Sequence, residues 1–206
     1  MSGAYVMTYD NLVEDVQRYM ERDDVGFVAQ IPSLIGLAEA AIAAELKTLL
    51  QLTVVETTLA TNQDVLAKPA RWRKTVSMKV NGTPMLLRSQ DYIAQYQSQS
   101  ANGQPKYYSE YDYNNWNFAP KPDDDYPVEI IYYSLIQPLD TSNQTNLFTR
   151  ECPQAMLFGT LLQAQGYLKA LDKIPVWKQY YTESLAALKK EDSSRRIDRN
   201  TTVQEP

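Results

Sequence analysis

The chain has 206 residues, 44% of them hydrophobic, and a formal net charge of −5, enough to bury one large core or two small ones but without the cationic excess that free-standing nucleic-acid binders need. Histidine is absent and Cys152 is the single cysteine, which speaks against triad hydrolysis, zinc chemistry and a disulfide framework and predicts folding in a reducing cytosol. No apolar run is expected to reach the ~20 residues of a membrane helix, and the first residues lack the basic flank and hydrophobic stretch of a signal peptide, so neither insertion nor export is expected.

The first helical signal covers 9–22, where Leu12, Val13, Val16, Tyr19 and Met20 share one face and Thr8 is a plausible N-cap. An acidic break containing Gly26 follows. Pro32 then sits near a first helical turn, and Leu34, Ile35, Ala38, Ala41, Ile42 and Leu46 recur at helical spacing with an alanine-rich face suited to close packing.

From Leu52 to Ile136 the period becomes two. Val76, Met78 and Val80 alternate with polar neighbours, Asn81-Gly82 is a strong hairpin signal, and 83–87 would be the return strand. A short helix capped by Ser89 interrupts, and strands are expected at 106–111, 116–119 and 128–135, the last with Val128, Ile130 and Tyr132 on one face. After a polar stretch, Met156, Leu157, Leu161, Ala164, Leu168 and Leu171 form a helical stripe behind Pro153. A final helix opens near Pro175 with Trp177, Tyr181, Leu185 and Leu188 on its face. Beyond Lys190 little is apolar, and an isolated tail there is expected to be disordered. The pattern predicts an α+β fold, a helical bundle formed by N- and C-terminal helix pairs with an inserted antiparallel β module. The expected boundaries are 1–51 and 138–190 for the bundle, 52–137 for the insertion and 191–206 for the tail.

The 15 tyrosines and 3 tryptophans point to contact surfaces, because these side chains bury large areas while keeping a polar handle. Lys68, Arg71, Trp72, Arg73 and Lys74 form the densest basic and aromatic cluster; a strand-edge or interface patch is favoured over DNA contact. Asp123, Asp124 and Asp125 lack the alternate spacing of a calcium loop and read as a solvated turn. Tyr107, Tyr108, Tyr111, Tyr113, Trp116 and Phe118 are expected to divide between core and subunit contact. Cys152 beside Pro153 could be activated by a helix dipole, but with no histidine to pair with it a buried or capping thiol is expected. No paired-carboxylate, phosphate-loop or cofactor motif is present, so no enzyme activity, metal or cofactor is expected.

Several phrases resemble the head-to-tail adaptor family of short-tailed bacteriophages, also called connector or tail tubular protein A-like. The most telling is GQPKYYSEYDYNNWNFAPKPDDDYPVEIIYY, residues 103–133. NLFTRECPQAMLFGTLLQAQGYL looks like that family's polar loop leading into a Pro-started helix, and VWKQYYTESLAALKKED like its final helix. The resemblance covers most of the chain and rests on order and spacing. It implies a structural ring, usually of twelve copies, in the neck of the virion, made in the host cytoplasm. The ring would sit beneath the portal protein, continue the DNA channel used in ejection, and support a tail or nozzle protein. It also implies that Arg195, Arg196, Ile197 and Arg199 dock on the portal, and that Arg71, Trp72, Arg73, Tyr113, Trp116, Asp123, Asp124 and Asp125 meet neighbouring subunits or the tail protein. An acidic subunit would present a lumen over which DNA slides without sequence-specific binding. The rival readings are another neck component, such as a gatekeeper or head-completion protein, and a DNA-binding accessory protein using 68–74 and the arginine tail.

Overall fold

A computed structural model describes residues 5–168 and 173–196. The chain divides into two compact units, Met1–Leu50 with Ile136–Pro206, and Gln51–Leu135.

The first unit is a helical bundle. Helix α1 (Tyr9–Met20) starts at a capping box in which Thr8 Oγ1 accepts from the Asn11 backbone N–H at 3.1 Å and Asn11 Oδ1 accepts from the Thr8 backbone N–H. It ends two residues before the expected Arg22, because Glu21 turns left-handed at φ 51°. The acidic break holds a one-turn helix, α2 (Val25–Val28), capped by the Asp24 carboxylate on Phe27 N–H, and Phe27 is buried. Helix α3 (Ile31–Glu45) has Pro32 in its first turn and buries Ile31, Leu34, Ile35, Ala38 and Ile42. Each of the buried leucine and isoleucine side chains contributes roughly 1.5–3 kcal/mol by leaving water.

Contrary to the expectation that no apolar run reaches the length of a membrane helix, one segment of the bundle does. The segment Val25–Glu45 is apolar enough to meet the length and composition of a membrane span, with a mean hydropathy of 1.6. Its helix is nevertheless interrupted between α2 and α3, and the apolar face of α3 is spent on the bundle core.

Chain order in the second unit runs β1 (Leu52–Leu59), β2 (Val65–Ala67), β3 (Trp72–Val80), β4 (Thr83–Pro84), β5 (Leu86–Leu87), α4 (Gln90–Gln99), β6 (Tyr107–Glu110), β7 (Asn115–Ala119) and β8 (Tyr126–Ser134). One sheet has the order β1-β8-β3-β4 and the other β2-β7-β6-β5. Asn81 and Gly82 both take positive φ, 48° and 75°, the twist a two-residue hairpin turn requires. The hairpin is shorter than expected: only Lys79↔Pro84 and Val80↔Thr83 pair. Met85 then turns into the core, and Leu86–Leu87 leave for the second sheet, where β5 runs parallel to β6. The module is therefore two sheets with one parallel pair, because burying Met85 redirects the chain. Its core contains Leu59, Met78, Val80, Tyr108, Trp116, Phe118, Val128, Ile130 and Tyr132. Ser89 caps α4 by accepting from Tyr92 N–H. Gln97 pins that helix to β7 by donating to the Phe118 carbonyl at 2.7 Å.

The bundle resumes with α5 (Leu147–Glu151), α6 (Pro153–Leu168) and α7 (Ile174–Arg196). Sequence reading takes α5 for loop; Asn146 nucleates it by accepting from the backbone N–H groups of Phe148 and Thr149. Helix α6 packs on α1, α3, α5 and α7. Gly159 allows the closest approach, since a Cβ there would lie 3.2 Å from the Tyr181 ring and 3.4 Å from Ala38 Cβ. Trp177, Leu185 and Leu188 of α7 are buried, with Tyr181 packed against the same core. The final helix does not stop at Lys190. It runs on to Arg196, supported by the Glu191–Arg195 ion pair and by the Asp192 carboxylate, which accepts from Leu49 N–H at 2.6 Å.

Candidate interaction surfaces

The basic cluster divides, with Lys68 turned inward and Arg71 and Lys74 left exposed. The Lys68 side chain is only 4% exposed and pairs with Glu110. Its ammonium lies 4.0 Å from the Trp72 ring centroid and 5.8 Å from that of Trp116, and donates to the Asp112 carbonyl at 2.8 Å. Trp72 and Trp116 meet edge to face at 6.0 Å, and Trp72 Nε1 donates to Thr75 Oγ1. A buried ammonium over two indole faces with a carboxylate partner is a stabilising cluster, not a phosphate clamp. Arg71 is exposed at φ 62°, with its carbonyl accepting from Leu135 N–H; Arg73 is half-buried and Lys74 exposed.

Trp116 is removed from the expected contact set. It is 0% exposed, because the alternation of β7 turns it and Phe118 into the core. Tyr113 is 79% exposed on the tight turn between β6 and β7. That turn is held by the Asp112 carboxylate, which accepts from Asn115 Nδ2 at 2.8 Å and Asn114 N–H at 2.6 Å. These bonds hold the Asp112 carboxyl below the usual carboxylate range. In the aromatic stripe, Tyr108 and Phe118 join Trp116 in the core, Tyr107 packs on Tyr92 and Tyr96, and Tyr111 is exposed with Tyr113.

The acidic turn is exposed and internally tied. Asp125 accepts from Thr61 N–H at 2.7 Å and Thr61 Oγ1 at 2.9 Å, Asp123 from Tyr126 OH at 2.7 Å, and Asp124 from Asp125 N–H. The Thr61 bonds lower the Asp125 carboxyl. Among the described residues no group of three or more His, Cys, Asp or Glu side chains is placed to hold a metal ion.

Cys152 is buried at the C-cap of α5, and burial pushes its thiol up to about 12. The helix dipole does not activate it. Arg195 is exposed and paired with Glu191, and Arg196 ends α7; Ile197 and Arg199 lie outside the described residues.

Two features escape a reading of the sequence. A groove of about 580 Å³ in the bundle is lined by Tyr5, Tyr19, Cys152, Phe158, Leu188 and Glu191, among others; its residues are scattered over the chain and only packing collects them. An open cleft of about 520 Å³ lies at the start of α4, between Arg88 and Ser109. The Arg88-Ser89 cap signal is legible in sequence, but the placement of Ser109 beneath it is not.

The chain thus combines a helical bundle and inserted sheets with hydrogen-bonded loops and exposed aromatic side chains. The family profile described as SU10 adaptor protein matches residues 7–204, and the chain belongs to that family of phage head-to-tail adaptors. No curated protein matches the chain.

Proposed function

We propose that this adaptor is the subunit of a ring of twelve copies in the virion neck, placed beneath the portal protein so that it continues the DNA channel and supports the tail or nozzle protein. The family match over residues 7–204 carries this reading. Closed rings are built by heterologous contacts repeated by rotation, and an exposed Tyr113 on a rigid turn is the kind of preorganised aromatic anchor such contacts use.

In this reading Arg71, Trp72, Arg73, Tyr113 and the Asp123, Asp124 and Asp125 turn face neighbouring subunits or the tail protein. Arg195 and Arg196 at the end of α7, together with Ile197 and Arg199 beyond the described residues, dock on the portal, and the lumen is acidic enough for DNA to slide. The engagement of Lys68 with Glu110 counts against the DNA-binding accessory alternative, since it removes one cation from the basic cluster. The adaptor family match counts against a gatekeeper or head-completion protein.

The test is electron microscopy and mass photometry of the purified protein, alone and mixed with its portal. A stoichiometric ring bound beneath the portal is expected. Indifference to the portal combined with binding to a different ring, or salt-sensitive DNA retention, would overturn the reading.

A further inference from the structure

The cleft at the start of α4 is lined by Leu87, Arg88, Ser89, Gln90, Ser109 and Glu110. Ser109 is 1% exposed, and its Oγ has no hydrogen-bond partner. A buried hydroxyl without a partner is costly. Ser109 belongs to the lining of an open cleft, and its hydroxyl lies just beneath that surface as a donor without an acceptor.

Three further features of the cleft favour a negative group. The first backbone N–H groups of α4, those of Gln90 and Asp91, have no acceptor within the helix, because the Ser89 cap is spent on Tyr92 N–H. Arg88 forms no ion pair among the described residues; its guanidinium is held 5.7 Å from the ring centroids of both Tyr92 and Tyr107, and it donates to the Leu87 carbonyl only at a long 3.4 Å. Glu110, the one acid on the lining, is already neutralised by Lys68.

We infer that this cleft is an oxyanion site that takes the side-chain carboxylate of an acidic residue on a partner protein. A single guanidinium matches one carboxylate and can grip it with two parallel N–H donors. A doubly charged phosphate would leave one of its charges unmatched by the single guanidinium. The surroundings point to a peptide as the carrier, because Leu87 on the lining is 53% exposed and Tyr92, beside the Arg88 guanidinium, is 37% exposed. An acidic residue flanked by apolar ones would fill the cleft and cover these side chains together. The site lies wholly within the sheet-containing unit and does not depend on the ring proposal.

The test uses the full-length protein and two blocked pentapeptides, one with a central glutamate between leucines and its glutamine counterpart, with inorganic phosphate as a third probe. Binding is followed by NMR at the Gln90 and Asp91 amides and at Arg88 Nε–H. The glutamate peptide should move these signals, with the glutamine peptide roughly tenfold weaker or worse. Arg88→Gln should abolish the response. Ser109→Ala should weaken it several-fold while leaving the melting temperature unchanged or raised, since it deletes a hydroxyl that has no partner inside the fold. Equal binding of the two peptides, tighter binding of phosphate than of the glutamate peptide, or no effect of Arg88→Gln would overturn the assignment.

Discussion

Replacing Glu39 by alanine tests how the bundle holds its connecting loop. Glu39 lies on the buried face of α3, 9% exposed, and its carboxylate accepts from Leu139 N–H at 3.1 Å and from Asn146 Nδ2 at 2.6 Å. Asn146 in turn caps α5. Truncation leaves the Leu139 N–H buried without an acceptor, at about 1–3 kcal/mol, whereas the Asn146 amide keeps the Gln137 carbonyl at 3.2 Å and loses a further ~1 kcal/mol. The sum, about 2–4 kcal/mol, corresponds to a fall in melting temperature of roughly 4–16 °C for a chain of this size. Glu39→Gln should cost less, because both donors converge on Oε1 and an amide oxygen, with two lone pairs, can accept from both.

Burial raises the Glu39 carboxyl above its usual range. The folded state therefore holds this proton more tightly than the unfolded one, and the associated stability is present below the unfolded value and lost as pH rises through the folded one. The advantage of the wild type over Glu39→Gln should accordingly grow as pH falls across that window. Thermal and urea unfolding at several pH values measure this. A Glu39→Ala change within ~0.5 kcal/mol of wild type, at the level of an ordinary surface substitution, would refute the reasoning.

Other outcomes follow from the same geometry. Trp116→Ala should cost about 3–5 kcal/mol and broaden the unit of residues 51–135 in NMR spectra, because it removes a core ring, the Trp72 edge contact and one face over the Lys68 ammonium. Gly159→Val should lower stability by roughly 1–3 kcal/mol, since its Cβ position is already 3.2 Å from Tyr181; Tyr181→Ala in the same chain should recover part of that loss. Cys152 should resist thiol reagents at neutral pH and react fully in denaturant, as expected of a buried thiol pushed up to about 12. Asp125 and Asp140 are held below the usual carboxylate range by hydrogen bonds, from Thr61 and from Ser142 with Asn143. Their stabilisation is present above the unfolded value of ~3.9 and lost as pH falls through the folded values, so Asp125→Asn should flatten the acid limb of the stability curve.

Much of the fold is legible in the chain because local rules act over a few residues. The spacing of Leu12 and Val16, the caps at Thr8 and Ser89, the Asn81-Gly82 turn and the alternation of Val128, Ile130 and Tyr132 each express a single helical or extended period, and the structure has those elements where these signals lie. The one-turn helices α2 and α5 are missed because they depend on a cap and one or two buried side chains, Phe27 in α2 and Phe148 with Thr149 in α5, with no repeat to read. Strands β1 and β2 carry no sharp alternation, and their identity comes from pairing with β8 and β7.

Composition and order alone also point to the adaptor family and to an assembly role. Only the tertiary structure decides which aromatic and charged residues remain for contacts. The sequence presents residues 68–74 as a surface patch and Trp116 as part of a separate aromatic stripe, and folding gathers Lys68, the half-buried Trp72 and the buried Trp116 around an enclosed ammonium. Likewise Met85, one residue beyond a well-formed turn, moves β5 to another sheet and brings Arg88 over Ser109. Side-chain period is a property of neighbours along the chain, whereas burial is a property of neighbours in space. A strand's direction after a turn is settled by which core takes its next apolar residue.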